Sequence, residues 1–79
     1  MPRFYFHLHN SVELHDDEGR DLPSLAAART VATEAARALM AEDLKMLGEI
    51  TLSHHITVEG EYGVRGFVLP FRACVEIRP

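Results

Sequence analysis

Four of the five histidines raise the question of chemistry first. His7 and His9 stand two apart in MPRFYFHLHN, and His54 and His55 are adjacent beyond the middle of the chain. Residues at i and i+2 of a strand share a face at roughly 6.6 to 6.8 Å. His7 and His9, joined by His54 and His55 from a paired strand, are therefore candidate ligands for zinc, nickel or copper. No cysteine pair, HExxH helix or carboxylate triad accompanies them, so they read as solvated or hydrogen-bonded imidazoles, with neither metal nor other cofactor expected. The acidic run Asp16-Asp17-Glu18-Gly19 lacks the alternating carboxylates and distal glutamate of a calcium loop and reads as a turn. Cys74 reads as packed, and Ser11, Ser24 and Ser53 lack a GxSxG-type setting. No catalytic constellation emerges, and the chain is not expected to be an enzyme.

The element that must position these residues is a helix from Ser24 to Leu47. Leu25, Ala28, Ala32, Ala35, Ala36, Leu39 and Leu47 recur at helical spacing, with Ser24 as N-cap and Gly48 as stop. Its alanines allow close approach to a sheet. Before it, Phe4, Phe6 and Leu8 alternate with polar neighbours as in a half-buried strand, and Asn10-Ser11 turns the chain into a partner at 12–15. After it, a strand from His54 to Glu59 leads through a Gly60–Gly63 loop to a return strand from Val64 to Leu69. Pro70 marks a break, and Val75 and Ile77 suggest a fifth short strand. The expected fold is α+β, one domain over 1–79, with order β-β-α-β-β and that short fifth strand. It predicts a small antiparallel or mixed sheet with one long helix on one face.

Composition narrows the function classes. The chain has 79 residues, of which 47% are hydrophobic and 25% charged, as in an ordinary globular protein. Eight basic residues face twelve acidic ones, and the excess of acid is concentrated between residues 13 and 49, which disfavours broad nucleic-acid binding. A lone Cys74 excludes an internal disulfide and points to a reducing compartment, and no run is long and apolar enough for a signal peptide or a membrane span. The expected setting is cytoplasmic, without membrane association.

The return strand is apolar at Phe67 and Leu69, and Phe71 follows at the same parity. With Tyr5 they suggest an apolar patch on the sheet face opposite the helix. The helix spans roughly 36 Å, longer than its strands, so Met40, Leu44 and Met46, outside the main stripe near its C-terminal end, would be poorly covered. Both features predict a homodimer or a small protein partner. Arg72 is expected to ion-pair with Glu59 or Glu76.

The opening MPRFYFH, the central GRDLPSLAAAR and the closing LPFRACVEI resemble a family of short, uncharacterised bacterial proteins grouped as a domain of unknown function. Its members commonly begin MPRYFFH, continue with a GxELPDLEAAR-like helix start and end LPFRDAVEI. The resemblance covers nearly the whole chain and implies no activity. The acidic residue that often follows Phe-Arg is Ala73 here, and Cys74 replaces a small apolar residue. The layout of a hairpin followed by one helix is also similar to HicB-type antitoxins, whose partners are toxins and operator DNA. The function expected is thus a small cytoplasmic interaction or regulatory module, homodimeric. The alternatives are a nucleic-acid-binding module using Arg3, Tyr5, Arg65 and Phe67 on the sheet face, or an antitoxin-like regulator.

Overall fold

The computed structural model describes residues 1–62 and 66–79. Strand β1 (Arg3–His9) is central, paired along one edge with β4 (His55–Gly60), which pairs in turn with β5 (Phe67–Pro70). Its other edge is shared by two short strands, β2 (Glu13–Leu14) at one end and β3 (Arg20–Asp21) at the other. All pairings are antiparallel. Helix α1 (Leu25–Leu47) crosses one face, and a 3-10 turn, η1 (Phe71–Cys74), follows β5. The order is β-β-β-α-β-β, an α+β arrangement with five strands among the described residues.

Local chemistry explains the boundaries. Asn10 Oδ1 accepts from the Val12 N–H at 2.8 Å, closing the first turn. Ser24 is the N-cap, its side chain accepting from the Ala27 N–H at 3.1 Å, and Gly48 ends α1 at φ 71 in the left-handed region. Register then fixes the faces. Phe4 lies opposite Gly60, Phe6 opposite Val58 and Leu8 opposite Ile56, while Ile56 pairs with Leu69 and Val58 with Phe67. Directly opposed residues share a face, so this set looks toward α1, and Tyr5, His7, His9, His55, Thr57, Glu59 and Val68 look away. The core joins Phe4, Ile56, Val58 and Leu69 to Ala28, Ala32, Ala36 and Met40 of the helix and to Phe71 and Cys74 of η1.

Several expectations are corrected here. Phe67, Leu69 and Phe71 do not build a patch on the far face: Leu69 and Phe71 are 1% exposed in the core, because the β4 register turns the odd positions of β5 inward. Phe67 packs against the same core, and only Tyr5 remains on the far face. The buried helix stripe is Ala28, Ala32, Ala36 and Met40. An i, i+4 series drifts about 40° per step, which brings Met40 into the core; Leu25, Ala35 and Leu39 are exposed instead, and Leu47 lies close to Met40 around the helix but past the end of the core. The fifth strand is β3, not a segment at Val75–Ile77, where the chain leaves η1 without regular structure. Among the described residues Arg72 has no ion-pair partner, since Glu59 engages His7 and Glu76 engages Arg78. The expected start of the return strand at Val64, and Arg65, lie outside the described residues.

Candidate functional site

The far face of the sheet gathers the titratable side chains. Between β2 and β3 the chain leaves β1, and the loop 15–19 spans the gap. Asp16 substitutes there for a missing strand. Its Oδ2 accepts from the Phe6 N–H at 3.0 Å, while Oδ1 accepts from the Glu18 N–H at 3.1 Å and the Gly19 N–H at 3.0 Å. Burial pushes the Asp16 carboxyl upward, but these three backbone donors and the neighbouring His7 outweigh it and hold the group below the usual carboxylate range. Gly19 closes the turn at φ 71. An added Cβ there would stand 2.8 Å from both Arg3 Cγ and Tyr5 Cε1 and 2.9 Å from the Phe4 carbonyl oxygen.

His7 is buried against this loop. Its Nδ1 accepts from the Asp16 N–H at 3.1 Å, and its Nε2 meets Glu59 Oε2 at 2.8 Å. The ring stacks on His15, with centroids 4.2 Å apart. Tyr5, His7, His15, Asp16, Asp17 and Glu59 line an open pocket of about 260 Å³. A general base needs a free nitrogen within reach of the proton it takes, and both nitrogens of His7 are occupied by protein. What the arrangement does is fasten a loop to a sheet.

The four sequence-selected histidines separate. His9 and His55 are cross-strand partners with rings stacked at 4.5 Å, and His9 Nδ1 lies 3.3 Å from Glu13 Oε1. His7 is engaged by Asp16 and Glu59. His54 stands apart, edge-on to Phe71 at 5.7 Å. Among the described residues no three His, Cys, Asp or Glu side chains are grouped to hold a metal ion. Sequence reading missed His15 and Asp16. The Asx-type signal at Asp16-Asp17-Glu18-Gly19 marked the turn, but nothing local announced that its carboxylate would reach Phe6.

The other sequence-selected residues fall into two groups. Met40 is buried, whereas Leu44, Met46 and Leu47 are 58%, 70% and 66% exposed at the end of α1. Cys74 is a free, buried thiol whose Sγ lies 3.6 Å from the Pro70 carbonyl oxygen. Among the described residues no helix is long and apolar enough to cross a membrane.

The sheet, the alanine-faced helix entered through Leu22-Pro23-Ser24 and the Leu69-Pro70-Phe71 segment that closes the sheet all lie within the stretch matched by one family model. The model of the domain of unknown function DUF6894 matches residues 3–72. The chain belongs to that family. No curated protein and no solved structure matches it.

Proposed function

We propose that the protein is a small cytoplasmic interaction module, non-enzymatic, that works as a homodimer joined through the C-terminal end of α1. One observation carries this reading. A helix of 23 residues is about 34 Å long, whereas the seven residues of β1 reach only about 23 Å. The last turns therefore run past the sheet, and Leu44, Met46 and Leu47 remain in water beside the partly exposed Leu39. Leu44 and Leu47 follow Met40 at i+4 and i+7, so they continue the core-facing side of the helix beyond the core. A second copy related by a two-fold axis would bring the same leucines together and cover them.

The far face of the sheet supports this choice over nucleic-acid binding. It presents Glu59 with Asp16 and Asp17 around one pocket, and carboxylates so placed repel phosphate. Sedimentation equilibrium of the whole chain at micromolar concentration tests the proposal. The mass should approach twice that of one chain and fall on dilution; a single-chain mass at every concentration rejects it.

A further inference from the structure

We propose that the flank of α1 facing β5 and η1 is a docking groove for an acidic segment of a partner protein that carries one apolar anchor residue. Two adjoining hollows form it. The first, about 260 Å³, is lined by Leu25, Ala26, Arg29 and Phe67 and is apolar apart from the arginine. The second, about 350 Å³, continues from Ala26 and Arg29 along Thr30 and Thr33 to Glu34 and Arg37. The shared Arg29 makes them one path, separate from the exposed leucines at the end of the helix.

The two arginines give the groove its chemistry. The Arg29 guanidinium lies 5.3 Å from the centroid of the Phe67 ring, and Arg37 Nε donates to the Cys74 carbonyl at 2.7 Å. Both are held in place by neutral groups. Among the described residues neither has a carboxylate within salt-bridge distance, in a chain of formal charge −4. Arg37 spends its Nε on the protein, and its terminal nitrogens have no hydrogen-bond partner among the described residues. A planar guanidinium so anchored is preorganised to take a carboxylate, with less side-chain entropy left to lose on binding. The threonine hydroxyls are turned back, Thr30 onto the Ala26 carbonyl and Thr33 onto the Arg29 carbonyl, which leaves a low wall between the arginines.

The spacing defines the partner. Arg29 and Arg37 are eight residues apart on α1, about 12 Å along its axis, which an extended chain covers in about four residues. Glu34 also lines the second hollow, about one turn before Arg37, so of the partner's two carboxylates the one at Arg29 is held more firmly. The apolar notch at Leu25 and Phe67 takes a leucine-sized side chain next to the first of them.

The probe is a fluorescein-labelled heptapeptide, Leu-Ser-Glu-Ser-Gly-Ser-Glu, titrated with the whole chain at low salt and read by anisotropy. Binding is expected to weaken about tenfold or more with Arg29→Gln, the scale of one charge-assisted pair. It should weaken similarly when both peptide glutamates become glutamines, and should also weaken when the leucine becomes serine. Arg29→Gln removes no backbone hydrogen bond, and an unchanged circular dichroism spectrum confirms that the variant is folded. Amide shift changes confined to Ala26, Thr30, Thr33 and their neighbours place the peptide in the groove. Three results overturn the proposal: no binding of the acidic peptide, equal binding of the glutamine peptide or the Arg29 variant, or a single-stranded oligonucleotide binding more tightly than the peptide.

Discussion

The backbone N–H of Asp16 donates to Nδ1 of His7 at 3.1 Å, and this fixes the tautomer of a buried imidazole. With Nδ1 an acceptor, the proton of the neutral ring sits on Nε2, where Glu59 Oε2 receives it at 2.8 Å. The loop 15–19 and strand β4 are therefore joined through one side chain of β1. In the neutral ring, imidazole nitrogen shifts should show His7 protonated at Nε2 alone. A ring protonated at Nδ1 would contradict the arrangement.

Asp16 ties stability to acid. Its carboxylate is stabilised in the folded state by the N–H groups of Phe6, Glu18 and Gly19, so its folded value lies below its unfolded one. A group lowered in this sense contributes stability above the ordinary carboxylate value, about pH 4, and loses it as pH falls through the folded value. Asp16→Asn should therefore cost about 1 to 3 kcal/mol near neutrality. The gap to the parent chain should narrow below about pH 4. Urea unfolding across that range measures it, and a gap independent of pH would show that the carboxylate charge plays no part.

Gly66 has no room for a side chain. A Cβ built there would lie 1.7 Å from the Val58 carbonyl oxygen and 2.7 Å from its carbon. Relief requires moving backbone at the β4–β5 pairing, where Val58 lies opposite Phe67. Gly66→Ala should destabilise by about 3 kcal/mol or more, the upper range of overpacking costs. A melting temperature within a degree or two of the parent chain would refute this.

The helix was the most legible element, because Ser24 and Gly48 carry the chemistry of its caps and its alanines recur at helical spacing. Its buried stripe was less so. Met40 and Leu39 are adjacent and equally apolar, and only the drift of the i, i+4 series across a narrow sheet selects Met40. The inward turn of Phe67, Leu69 and Phe71 was hidden for a related reason. A strand apolar on both parities shows no preferred face, and the pairing of Leu69 with Ile56 decides it. His7 could be picked out as a residue capable of chemistry, but its partners Asp16 and Glu59 are 9 and 52 residues away. Contacts at such separations follow from topology and leave no local pattern.

The most direct test of the interaction role compares the chain with its Leu44→Glu/Leu47→Glu double variant by size-exclusion chromatography with light scattering. Both leucines are exposed in the single chain, so the variant should keep the parent's circular dichroism and hydrogen bonding. Twice the chain mass is expected for the parent and the mass of one chain for the variant. A parent that elutes as a single chain, or a variant that remains paired, would rule out a dimer joined through the end of α1.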